Sequence, residues 1–97
     1  QITSVMGSIE QNRGGSYGYR ASKAALNMLN KSLAAELGKQ GFVCVAIHPG
    51  WVKTRMGGDR APIDPEDSVA GMLKVIDGLG KDDNGHFVDY QGKTIPW

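Results

Sequence analysis

The chain reads as an α/β protein: the C-terminal half of a doubly wound parallel sheet. Short β-leaning runs alternate with helical patterns, in the order strand, helix, strand, loop, helix, strand. The connections are too long for hairpins, so the strands should lie parallel with helices crossing over between them. One run, "FVCVAIHPG" at 42–50, is apolar almost without a break and suits a strand covered on both faces. Three strands and two helices make a poor free-standing core, and 97 residues amount to one modest domain at most. Together with an opening in mid-strand without an initiator Met, this predicts a piece of a longer chain whose first half is missing.

Each element follows from its residues. "QITSV" at 1–5 leans towards strand and leads into a Gly-, Ser- and Asn-rich loop reaching Ser16. A helix is predicted from about Gly18 to Leu37, because Leu26, Leu29, Leu33 and Leu37 recur at spacings of three and four. Alanines at 21, 24, 25, 34 and 35 raise its helix propensity, and Gly38 and Gly41 stop it. Pro49 ends the 42–50 strand, and 51–63 is a loop with no apolar period. Asp64-Pro65-Glu66-Asp67 then opens a second helix with a capping Asp, a proline in the first helical position and acids near the positive end of the dipole. Val69, Met72, Leu73, Ile76 and Leu79 are its expected buried stripe. "GKDDNG" at 80–85 is a turn, "HFVDY" at 86–90 a short strand, and "QGKTIPW" a tail.

Bulk properties exclude several functions. A hydrophobic fraction of 40% with 22% charged residues describes a globular chain. The formal charge of +1, with no run of one sign, offers nothing to nucleic acid or to a membrane surface. No apolar stretch is long enough to span a bilayer. The single cysteine, Cys44, cannot form an internal disulfide, and no Cys/His cluster suggests a metal. These readings place the protein in a reducing, cytoplasmic setting with no metal site.

The chemistry centres on Tyr19 and Lys23. Four residues apart on a helix, they share one face and can point into one cleft. A free phenol titrates near ~10 and moves protons poorly at neutral pH; a neighbouring ammonium favours the phenolate. The pair also has an ordinary reading, as a surface lysine beside a half-buried tyrosine. Ser4, alone, reads as a strand-end serine bonded to nearby backbone, and Pro49-Gly50, alone, as a plain turn. His48 reads as a packed structural histidine with no evident partner acid, His86 as solvated, and Cys44 as an inert buried thiol. Trp51 and Met56 either line a substrate pocket or anchor their loop.

Taken together, "SVMG" at 4–7, "YRASKAAL" at 19–26 and "HPGWVKT" at 48–54 resemble the short-chain dehydrogenase/reductase family. That family opens its active-site helix with Tyr-x-x-Ser-Lys, places a serine at the end of the preceding strand and follows the next strand with Pro-Gly-x-x-x-Thr. The resemblance runs from Ile2 to Trp97. "MGSIEQN", "HPGWVKTRMGG" and "GKTIPW" are most similar to carbonyl reductases of the Sniffer and C-factor type.

The resemblance implies a Rossmann-type fold and hydride transfer between NADP or NAD and a small carbonyl or alcohol, with NADP favoured. Tyr19 would be the general acid in reduction and the general base in oxidation. Lys23 would support it and bind the nicotinamide ribose, and Ser4 would steady the substrate oxygen. Pro49 and Gly50 would shape the cofactor site, and Val52 and Thr54 would hold the carboxamide. Arg55 departs from the acidic residue expected after the threonine. The helix from Tyr19 to Leu37 could pack against its copy in a homo-oligomer, or spend its apolar stripe on the sheet. Other readings of the same residues are a fold retained as a binding or regulatory module without turnover, and an inactive fragment. No glycine-rich dinucleotide fingerprint lies at a strand–helix junction, so the 97 residues alone have no cradle for pyrophosphate.

Overall fold

The computed structural model describes residues 1–97 and has two parallel strands at its centre. β1 (Ala46–His48) and β2 (Phe87–Asp89) pair Ala46 with Phe87, Ile47 with Val88 and His48 with Asp89. On the other side of β1, Ile2 forms a parallel bridge to Ile47. Thr3 N–H donates to Ile47 O at 2.9 Å there, and Ile47 N–H to Gln1 O at 2.8 Å. Three parallel segments thus run in the order Ile2, β1, β2. The helix α1 (Tyr17–Leu37) crosses between the first two, and α2 (Pro65–Asp77) between the second and third. This is the α/β alternation expected from the sequence.

The strands are shorter than their apolar runs. Ser4 caps a single 3-10 turn at Val5–Gly7, which takes the chain out of the ladder after Thr3. In the 42–50 run, the Cys44 N–H goes to the side-chain Oδ1 of Asn84 at 2.8 Å, so regular pairing starts only at Ala46. Asn84 also donates to Ala34 O at 2.8 Å and so ties the end of α1 to the start of β1. Thr94 in the tail adds an antiparallel bridge to Val88 that no sequence pattern announced.

Alternate side chains send the core to both faces of the sheet. Val45, Ile47 and Val88 pack against Met72, Val75 and Leu79, whereas Ala46, Phe87 and Ile95 pack with Val5. The helices meet this core with unexpected faces. In α1 the buried residues are Asn27, Asn30 and Ala34, while Leu29 and Leu33 of the leucine stripe are 62% and 38% exposed. The stripe is therefore only partly covered, with Leu26 and Leu37 half-buried. Each buried asparagine has one polar bond: Thr3 Oγ1 donates to Asn27 Oδ1 at 2.6 Å, and Asn30 Nδ2 donates to Cys44 O at 3.4 Å, while Asn27 Nδ2 and Asn30 Oδ1 have no partner.

The expected stripe of α2 is split. Met72 and Leu79, joined by Val75, reach the core, but Val69, Leu73 and Ile76 are exposed, and Ser68 is buried instead. Proline opens α2 as expected, yet Asp64 gives no side-chain cap. Its carboxylate pairs with Lys53 Nζ at 3.3 Å, while its carbonyl accepts from the N–H groups of Asp67 and Ser68. Cys44, expected to be buried, is half-buried. No helix is long and apolar enough to cross a membrane.

Candidate active site

A cleft of about 790 Å³ opens where the Ile2 segment and β1 end, the side on which open α/β sheets bind ligands. Ser4 and Tyr19 both line it, and so do Pro49, Gly50, Trp51, Val52, Thr54 and Met56. Of the catalytic, cofactor-binding and substrate-loop candidates from the sequence, only Lys23 is not on its wall.

Ser4 is 7% exposed, and its hydroxyl oxygen accepts the Met6 N–H at 3.1 Å. A serine hydroxyl has one proton to give and two lone pairs to receive, so this cap leaves the proton free for an oxygen in the cleft. Gly7 sets how closely the Ser4 turn lies on α1. A Cβ at Gly7 would sit 2.9 Å from the backbone carbon of Lys23 and 2.8 Å from Asn27 Nδ2. The turn thus rests directly on the helix that carries Tyr19.

The loop before α1 ends with Ser16 in the left-handed region at φ 47°, immediately ahead of the helix. Asn12 Oδ1 accepts the Gly14 N–H at 2.7 Å, and Arg20 Nε donates to Gly15 O at 3.1 Å, which binds this loop to the first turns of α1. Tyr19 therefore enters the cleft from a tied-down helix start. Lys23, one turn on, lays its ammonium over the Tyr19 ring, 5.6 Å from the centroid. The four-residue spacing brings the two side chains together, although only Tyr19 lines the cleft. The negative face of the ring then holds the cation, an attraction of about 0.5–1 kcal/mol where water has access.

Beyond β1, the segment from Trp51 to Gly57 is knitted by its own side chains. Trp51 Nε1 donates to Gly57 O at 2.8 Å, and Thr54 Oγ1 accepts the Gly57 N–H at 3.0 Å. Trp51 thus both anchors the loop and lines the cleft, while Met56 is 84% exposed on the same wall. Val52 is fixed from outside by its bridge to Ile63.

Further residues line the wall beside these candidates, among them Thr3, His48 and Ser68. Thr3 is concealed beside the more conspicuous Ser4, and Ser68 lies inside a helix whose apolar spacing draws attention elsewhere. The ladder sets Asp89 opposite His48, but the two side chains form no ion pair. Burial lowers the His48 pKa from its ordinary 6.5, and the Asp89 carboxylate works against that shift. His48 Nδ1 is buried without a hydrogen-bond partner. His86 is exposed as expected and lies 3.6 Å from Asp83.

Known proteins resemble this chain in sequence and in fold. Residues 1–74 match the family model described as enoyl-(acyl carrier protein) reductase. The chain is 55% identical over 97 residues to the C-signal of Myxococcus xanthus, covering 99% of this chain and 58% of that protein. The carbonyl reductase Sniffer of D. melanogaster superposes with a TM-score of 0.96 at 47% identity, over 99% of this chain and 39% of that one. An NADPH-bound carbonyl reductase from chicken fatty liver gives 0.91 at 43% identity, over 99% and 41%. The chain thus spans less than two thirds of the length of each of these relatives. With its strand–helix order, its cleft and these likenesses in agreement, the chain belongs to the short-chain dehydrogenase/reductase family.

Proposed function

We propose that these 97 residues are the C-terminal part of a single Rossmann-type domain in an NAD(P)-dependent oxidoreductase acting on a small carbonyl or alcohol. The observation that carries this reading is the meeting of Ser4 and Tyr19 on one cleft wall with the Pro49–Thr54 segment. NADPH is the cofactor of choice because a 43% identical relative is described as NADPH-bound.

The residues present fit the nicotinamide end of such a cofactor. Gly50 adopts φ 86° in a turn where Ile63 and Tyr90 already fill the space a side chain would need, and Thr54 Oγ1 keeps acceptor capacity beyond its bond to Gly57. Val52 and Thr54 would hold the carboxamide, and Lys23 the ribose. The cofactor, when bound, supplies the hydride. Ser4 donates a hydrogen bond to the substrate oxygen and fixes the carbonyl in place. Tyr19 gives its phenolic proton to that oxygen during reduction and takes it back during oxidation. Lys23, already against the ring, offsets the negative charge left on Tyr19. The pyrophosphate would be held by the part of the domain that precedes this chain.

The full-length protein mixed with NADPH and a panel of aldehydes and ketones should consume the reduced cofactor with at least one of them. Absence of consumption with both NADPH and NADH across the panel counts against the reading. A second reading, a signalling or binding module without turnover, draws its support from the name of the 55% identical relative, C-signal. It predicts that Tyr19→Phe leaves the biological effect intact.

A further inference from the structure

We propose that Ser68 is a positioning residue that holds the Pro49–Gly50 turn in the shape the nicotinamide end requires, an inference that rests on the oxidoreductase reading above. Ser68 lies in the first turns of α2 and is 2% exposed. Its hydroxyl donates to the Pro49 carbonyl oxygen at 2.7 Å, across nineteen residues of sequence. Left unpaired, a hydroxyl buried this completely would cost stability. Pairing it with a loop carbonyl makes it an anchor on a rigid helix. The peptide between Pro49 and Gly50 is trans, so drawing its carbonyl towards α2 turns the Gly50 N–H the opposite way.

The turn is gripped from a second direction. A side chain at Gly50 would run into Ile63 Cδ1 and approach Tyr90 Cε1 at 3.1 Å. The Tyr90 ring in turn occupies space that Gly71 of α2 leaves free, where a Cβ would come within 2.9 Å of Cδ2. Both grips come from α2 or from what packs on it. The segment beyond the turn inherits the placement, because Lys53 N–H donates to Ile63 O at 2.8 Å just before α2 begins. Ser68 therefore acts on the cofactor through Pro49 and Gly50 rather than by touching the reacting atoms.

The test compares Ser68→Ala with Ser68→Thr, which keeps the donor, in the full-length protein. Hydrogen exchange at the amides of residues 50–58 should quicken roughly three- to tenfold in Ser68→Ala, as the net loss of one hydrogen bond implies, with exchange in α1 unchanged. Ser68→Thr should stay close to wild type. The KM for NADPH should rise by a similar factor in Ser68→Ala while the KM for the carbonyl substrate stays constant. Should Ser68→Ala not fold, Ser68→Cys, a weaker donor of similar size, is expected to show half of each effect or less. Unchanged exchange at 50–58 overturns the proposal, and so does faster exchange with an unaltered KM for NADPH. A wild-type protein that consumes no NADPH would sink the enzymatic reading and not the anchor, which the exchange measurement decides by itself.

Discussion

Ser4 and Tyr19 share a wall because Gly7 lets one backbone lie directly on another. Its missing side chain brings the Val5–Gly7 turn against α1 at Lys23, with only 2.9 Å to spare for a Cβ. Gly7→Ala should therefore push the turn off the helix and lower stability by about 1–3 kcal/mol. Urea denaturation of the full-length protein measures this, and an unchanged midpoint would show that the turn gives way without cost. The roles of Ser4, Tyr19 and Lys23 were suggested by spacing and by family likeness. That Lys23 would lie on the face of the phenol ring was not legible, since a four-residue interval says which side chains are neighbours and not which atoms meet. Ser68 was hidden for a different reason. A serine inside an apolar pattern looks like a lapse in the stripe until its acceptor, nineteen residues back, is seen.

At the scale of elements, the order of strands and helices could be read from the sequence, but the faces of the helices could not. Two of the four leucines of α1, Leu29 and Leu33, still point outward, while Asn27 and Asn30 are buried and find partners on the strand side. Periodicity reports that a helix has a face and not which face turns inward. Strand lengths were overestimated for a related reason: Ser4 and Asn84 divert backbone donors that an apolar run would otherwise commit to the ladder.

The β1–β2 ladder itself makes a pH prediction through His48. Because its folded pKa lies below 6.5, the unfolded chain takes up a proton that the folded chain refuses as pH falls through that value. Stability should then drop on acidification. Thermal melts between pH ~7.5 and ~5.5 should fall further for wild type than for His48→Asn, which has no group titrating there. Equal falls would mean that His48 gains no burial on folding.

The whole chain is a slab of 42 × 29 × 19 Å, with its sheet covered on both faces. Each helix nevertheless leaves apolar side chains open: Leu29 and Leu33 on α1, and Val69, Leu73 and Ile76 on α2. This accords with a part of a larger domain, as does a span of 58% of the C-signal and 39% of Sniffer. Under the proposed function the chain supplies the nicotinamide half of a site, and with no glycine-rich turn for pyrophosphate it should bind dinucleotide poorly by itself. Titration calorimetry of residues 1–97 with NADPH should therefore show no useful affinity, and tight binding would place the whole cofactor site within these elements. The central claim concerns the complete protein, in which the phenol of Tyr19 passes the proton that accompanies hydride transfer. Its most direct measurement is the rate of NADPH-dependent carbonyl reduction by full-length Tyr19→Phe beside wild type. A loss of about 10²-fold or more, with the protein still folded, is the predicted result. A rate equal to that of wild type would contradict it.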